Sequence, residues 1–256
     1  MTATLFGLLT RIRVSRAPTD LAKAARQQHL FPLVGAVVGL FAAIVSVLFY
    51  ELFGKEMALV SAGLALFFLY YVTGILHTEG LADFADGIMA SGPQERKRGA
   101  MKDVHLGSAG VFSTVLFLIV FFSAVTRITV QASHPLNLFP LPWGVPVAVG
   151  FVLSEMAGKL SMNTMMYLGP SSHQGMGSVF VTEASAKKLA TSLGICVVIG
   201  TMASGLLFFI VLLGLITGAL ATHISRKNFG GVGGDAFGAA NELGRIVALL
   251  GWVLLI

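Results

Sequence analysis

The chain has 256 residues, of which 55% are hydrophobic and 11% charged, against about 25% charged in an ordinary soluble domain. Its 17 Lys and Arg against 12 Asp and Glu give a formal charge of +5, carried by so few residues that a soluble nucleic-acid binder is excluded and a polytopic membrane protein is predicted. A single cysteine, Cys196, excludes an internal disulfide.

Residues 1–30 read as an amphipathic arm on the membrane surface, with Arg11, Arg13, Arg16, Lys23 and Arg26 able to reach lipid phosphates. The basic residues follow the apolar patch instead of preceding it, unlike a cleavable signal peptide. A bilayer core of about 30 Å takes about 20 apolar residues to cross. Such runs lie near Phe31 to Tyr50 and Met57 to Leu76.

The next segment interrupts the apolar pattern with His77-Thr-Glu79-Gly-Leu-Ala-Asp83-Phe-Ala-Asp86-Gly87. On a helix Glu79, Asp83 and Asp86 share one side. Two unit charges about 4 Å apart repel by about 4 kcal/mol at an effective dielectric of about 20, so three acids without an intervening Lys or Arg call for a cation among them. Hard carboxylate oxygens suit Mg²⁺, with Mn²⁺ as the alternative. A basic loop, Glu95-Arg96-Lys97-Arg98, leads to Lys102 and Asp103. These cations read either as a positive-inside signal or as a grip on a nucleotide diphosphate, and Lys102 is the best placed for the second role.

Spans follow near Val111 to Gln131 and Pro142 to Met162, the latter carrying Glu155 and Lys159. Pro135, Pro140, Pro142 and Pro146 are read as structural, since Pro suits turns and first helical positions. The loop from Gly169 to Ser178, with Gly175 and Gly177, reads as a plain turn or as backbone N–H groups offered to an anion. The run from Leu189 to His223 is too long for one span, and Gly200 and Gly205 mark a break. Gly230-Gly231-Val232-Gly233-Gly234-Asp235 then opens the last helix, with Asn241 and Glu242 deeper in it. There the glycines permit close approach to a ligand, whereas Glu242 and Arg245, three apart, also read as a buried ion pair.

The fold expected is therefore all-α: one membrane domain over 1–256, a polytopic helical bundle of about seven transmembrane helices, with six as the competing count. Seven spans put 13 of the 17 Lys and Arg in the arm and the three loops of one side, together with the acidic and Gly-rich segments. That side is then cytoplasmic, and the protein belongs in the cell membrane. Gly35-x₃-Gly39 in the first span permits close helix contact, including a homo-oligomer.

The acidic run, Met101-Lys102-Asp103 with Gly107 and Gly110, and the terminal Gly-Gly-Val-Gly-Gly-Asp235-Ala-Phe-Gly238-Ala-Ala-Asn241-Glu242-Leu resemble the cobalamin synthase family, the adenosylcobinamide-GDP ribazoletransferases. The resemblance covers nearly the whole chain. It departs at Glu79, where the family commonly has Asp, and at Gly233, where it has Thr. The resemblance implies an Mg²⁺-dependent transfer joining α-ribazole, or its 5′-phosphate, to adenosylcobinamide-GDP with release of GMP. Glu79, Asp83, Asp86, Asp103 and Asp235 are the expected metal ligands. Asp103, Lys102 and Asp235 are the expected catalytic residues, and Gly231, Gly234, Gly175, Gly177 and Asn241 the expected substrate contacts. A CDP-alcohol phosphotransferase is the runner-up: Asp83-x₂-Asp86-Gly87-x₂-Ala90 begins that family's motif, but Ser91 replaces its Arg and Gly107 its last Asp. A cation-coupled transporter is the non-enzymatic alternative; it would place acids at mid-span.

Overall fold

The computed structural model describes residues 3–12, 20–103, 105–132 and 144–256. Arg13, Arg16, Pro135, Pro140 and Pro142 lie outside them. In chain order the helices are α1 (Ala3–Leu9), α2 (Leu21–Arg26), α3 (Phe31–Phe53), α4 (Ala58–Thr73), α5 (Leu76–Met89), α6 (Gln94–Met101), α7 (Ser108–Ala132), α8 (Val145–Leu168), α9 (Met176–Thr182), α10 (Ala186–Ser204), α11 (Leu213–Phe229) and α12 (Gly234–Leu255). Short 3₁₀ segments stand at Gln28–Leu30, Lys55–Met57 and Gly205–Leu212. Within the described residues the only extended pairing is a single bridge between Ser171 and Val232, so the all-α expectation holds.

By length and apolarity five runs could cross a bilayer: Gln28–Phe53, Ser108–Val130, Val145–Leu168, Ala186–Phe229 and Gly234–Leu255. The pair α4 and α5, bent by 91°, makes a sixth. A count of seven is reached only by dividing the 44-residue run Ala186–Phe229. A break does occur there: Gly205 has φ +60, and Phe208 returns to touch the Gly200 position, which a straight helix would leave about 12 Å behind. We read α4 as spanning and α5, which turns away after Gly74, as running across the end of the bundle.

The hub of the bundle is α8. From Pro146 to Met166 every residue but Ala148 is buried, and α3, α11 and α12 pack around it. Pro146 occupies the first turn, where its missing N–H costs nothing. By contrast α3 turns Leu40, Ile44, Leu48 and Leu52 outward, one per helical turn, as a lipid-facing stripe. Its opposite face carries Gly35 and Gly39, where a Cβ would lie 2.7 Å from the Glu155 carbonyl oxygen and 2.6 Å from that of Phe151. The Gly35-x₃-Gly39 spacing is therefore spent inside the chain, on α8, and not on a second copy.

The hub also buries charge. Glu155 and Lys159 of α8 and Glu242 and Arg245 of α12 are all inaccessible to solvent, two acids facing two bases. Arg245 Nε lies 2.7 Å from Glu155 Oε1 in an ion contact, and its Nη1 donates to Glu242 Oε2 at 3.0 Å. Tyr70 of α4 donates to the same Oε2 at 3.2 Å, and Lys159 donates to Asn241 Oδ1 at 2.7 Å. Mutual pairing is what lets four charges remain in a medium where a lone ion costs several kcal/mol, of order 5 or more. The ion-pair reading of Glu242 and Arg245 is thus the one the fold realises.

The arm is not free on a surface. Leu5, Leu9, Ala24 and Ala25 are buried against the bundle, and Arg11 anchors its N–H on the Val72 carbonyl at 2.6 Å with its guanidinium over Tyr71.

Candidate active site

Three segments distant in sequence meet at one end of the bundle. The first contact is α5 on α12, which cross backbone to backbone: a Cβ at Gly80 would lie 2.8 Å from the Asp235 carbonyl oxygen, and one at Gly238 would lie 2.9 Å from that of His77. Only glycine at both positions allows this approach, and it sets the acidic face of α5 beside Asp235. Gly238→Val is expected to wedge the two helices apart, costing about 1–3 kcal/mol as overpacking does, with a loss of transfer activity larger than the fall in melting temperature implies. Activity and thermal melting measured on the same detergent preparation check this.

The second contact is a pair of loops. Ser172 N–H donates to the Val232 carbonyl at 2.9 Å and Val232 N–H to that of Pro170 at 2.8 Å. These bonds hold the loop after α8 against the glycine run before α12. The third is α6 on the end of α11: Arg98 Nη1 donates to the Phe229 carbonyl at 2.8 Å, Gln94 to that of Lys227 at 3.2 Å, and Lys97 to Asn228 Oδ1 at 2.8 Å. Arg98 and the neutral Gln94 satisfy the last carbonyls of α11, and the charges of Arg98 and Lys97 suit its negative dipole end. Lys97 and Arg98 are thereby committed, whereas Lys102 stays exposed and its side chain makes no hydrogen bond among the described residues.

The expected residues divide among these contacts. Lys102, Asp235 and Gly231 line one cavity, joined by Arg98, Ser172, His173 and Gly233. Asp103 faces a different cavity, with Asp86, His105 and Gly107. The Asp103 carboxylate accepts from His105 N–H at 3.0 Å and stands 2.9 Å from His105 Nδ1, and these two bonds hold it below the ordinary carboxylate range. Asp86 is fixed as well: one oxygen accepts from Gly107 N–H and the other from Gly110 N–H, both at 2.8 Å, so it caps α7. Each oxygen keeps a lone pair, and a carboxylate oriented this way is the kind a hard cation uses.

Asp83, half-buried between Asp86 and Asp235, is pushed up to about 6 by burial first, then by the negative charges of Asp235, Glu79 and Asp86. No described group of three His, Cys, Asp or Glu converges tightly enough to chelate an ion as it stands. The donor set nevertheless fits a hard divalent cation, because all its members are carboxylates and the half-buried Asp83 is under-neutralised. Gly177 and Gly234 line an apolar cleft beside Asp235, and Gly175 precedes α9 next to His173. Asn241 does not join the site. It is fully buried one turn deeper, accepting from Lys159 and donating to Glu242 Oε1 at 3.2 Å.

His173 and Ser172 went unassigned in the sequence, as did the capping role of Arg98. A Ser-Ser-His run inside a glycine-rich loop on the acidic side was the available signal, but only the pairing with Val232 brings it to Asp235.

A family described as cobalamin-5-phosphate synthase matches residues 1–253. The chain belongs to the cobalamin-5-phosphate synthase family. Relatives of this synthase named adenosylcobinamide-GDP ribazoletransferase include those of Methanocella arvoryzae, 35% identical over 94% of this chain and 90% of the relative, and Methanococcoides burtonii, 30% identical over 96% and 89%. That of Pyrococcus furiosus is 32% identical, covering 96% of both chains. No solved structure matches the synthase.

Proposed function

We propose that this membrane synthase joins α-ribazole, or its 5′-phosphate, to adenosylcobinamide-GDP with release of GMP, giving adenosylcobalamin or its 5′-phosphate. The family match and the relatives' names support the substrates. One structural observation carries the chemistry: an acidic helix and a cavity bearing Lys102, Arg98 and His173 share Asp235 as their common wall. In the transfer a ribose hydroxyl oxygen bonds to the cobinamide-side phosphorus, the bond from that phosphorus to the GMP oxygen breaks, and the hydroxyl proton leaves to a carboxylate. Asp235 is the proposed acceptor of that proton, with Asp103 as the alternative on the far side of α5. Lys102, uncommitted and mobile on its stem, neutralises the departing GMP phosphate, with Arg98 holding the same cavity wall positive. Glu79, Asp83, Asp86 and Asp235 would hold Mg²⁺, which supplies charge neutralisation at the diphosphate oxygens. The excess of Lys and Arg on this end supports a cytoplasmic placement of the site.

The transporter alternative asks for acids at mid-span, and the structure does bury two there, but an ion-conducting acid has to be free to exchange its partner. The mid-span acids here, Glu155 and Glu242, are each paired with Arg245.

The test is GMP release from adenosylcobinamide-GDP and α-ribazole by the protein in nanodiscs, with and without chelator. Vectorial uptake of substrate in sealed vesicles without GMP would overturn the proposal. Ion binding should also depend on pH with a definite sign. Protons compete with the ion for Asp83, so affinity falls as pH drops through about 6 and levels off above it. In the ion-free protein the raised value acts on stability the other way: the folded state holds the proton more tightly, so stability declines as pH rises from the ordinary carboxylate value to about 6, and added Mg²⁺ restores it. Calorimetric Mg²⁺ titrations and melting curves from about pH 5 to about pH 8 report both.

A further inference from the structure

An apolar cleft adjoins the basic cavity and shares only Asp235 with it. Its walls come from α1, α2, α3, α5, α8, α9 and α12, with Leu9, Phe31, Met162, Met166 and Phe180 buried in it and Met176 at its exposed rim. One polar side chain besides Asp235 lines this wall. His77 is 95% buried, being 5% exposed, and its Nδ1 has no partner among the described residues.

We infer that this cleft seats the planar aromatic base of the acceptor nucleoside, with the His77 ring hydrogen-bonding the base; the inference rests on the transfer reaction proposed above. Three features select that occupant. The volume, about 120 Å³, suits one ring system and not a whole nucleotide; dry apolar cavities of about 150 Å³ take up benzene. The lining combines leucine with methionine and phenylalanine, and the last two adapt to and stack on flat apolar rings. The cleft and the basic cavity meet at Asp235, so a nucleoside with its base in the cleft presents its ribose to the wall proposed above for the diphosphate. An acyl chain from the bilayer would fill the apolar part but leave His77 unpaired. Binding the base here makes the cleft the part of the protein that chooses among acceptors, apart from the groups that bind the donor.

The experiment uses the full chain in nanodiscs, with Met176→Trp at the rim as a fluorescence reporter. α-Ribazole should change its emission saturably without any donor present, whereas ribose 5-phosphate, which lacks the base, should not, and oleate should not displace the nucleoside. In the transfer assay His77→Leu should raise KM for α-ribazole about tenfold or more while KM for adenosylcobinamide-GDP stays within about twofold, and His77→Asn, which restores a polar atom, should recover most of the loss. Equal responses to ribose 5-phosphate and α-ribazole, displacement by oleate, or a His77→Leu effect shared by both substrates would overturn the assignment. Saturable α-ribazole binding in a protein that releases no GMP would support the cleft while defeating the transfer reaction, so the two readings fail separately.

Discussion

Asp83→Asn is expected to abolish GMP release, by about 100–1000-fold, with no fall in the melting temperature of the ion-free protein. The carboxylate is half-buried among Asp235, Glu79 and Asp86, and its raised value of about 6 records that repulsion. Neutralising it relieves strain in the ion-free state and removes a ligand from the ion-bound one, so stability and activity move in opposite directions. Asp86→Asn should behave differently even though it lies on the same face. Its two oxygens accept from Gly107 N–H and Gly110 N–H. An amide leaves one of those donors facing another donor, at a cost of about 1–3 kcal/mol. Activity and melting temperature should therefore fall together in Asp86→Asn. Parallel measurements on the two variants separate a charge that binds from a charge that also builds. Full activity in Asp83→Asn, or in excess chelator, would remove the ion from the proposal.

Arg245→Met is expected to be the most destabilising single change in the bundle, by about 3–5 kcal/mol, because Glu155 and Glu242 would keep their burial and lose their shared cation. For a chain of this size that corresponds to a drop of about 10 °C in melting temperature. Replacing Glu242 by Leu in the same protein should return most of the loss, since it removes an anion along with the cation and leaves Glu155 to Lys159. Thermal melting in detergent for the two single variants and the double variant closes the cycle; additive losses would show that the residues do not act as a paired unit.

The comparison of acidic and ionic residues also shows where sequence reading stopped. Glu79, Asp83 and Asp86 declare a shared face by spacing alone, since helical periodicity is local. Glu242 and Arg245 declare only that they are neighbours on α12. That they are joined by Glu155, Lys159 and Tyr70 from two other helices depends on how α8 is enclosed, which no spacing encodes. Lys102 and Asp103 are adjacent in the chain and were expected to act together. The turn at the end of α6 sends them to different cavities, because Arg98 and Lys97 pin that helix to the end of α11.

Composition by itself determined that the chain is a polytopic membrane protein whose charged residues are few, because solvent preference is summed residue by residue. Motif spacing determined the family and the acidic face, both being properties of short stretches. Tertiary structure decided which glycines serve packing and which line a cavity, that Asp235 and not Asp103 shares a cavity with Lys102, and that His77 lines an apolar cleft. Those outcomes depend on contacts between segments more than a hundred residues apart, and they are set by how closely two backbones can approach, a quantity that belongs to pairs of helices and not to any one of them.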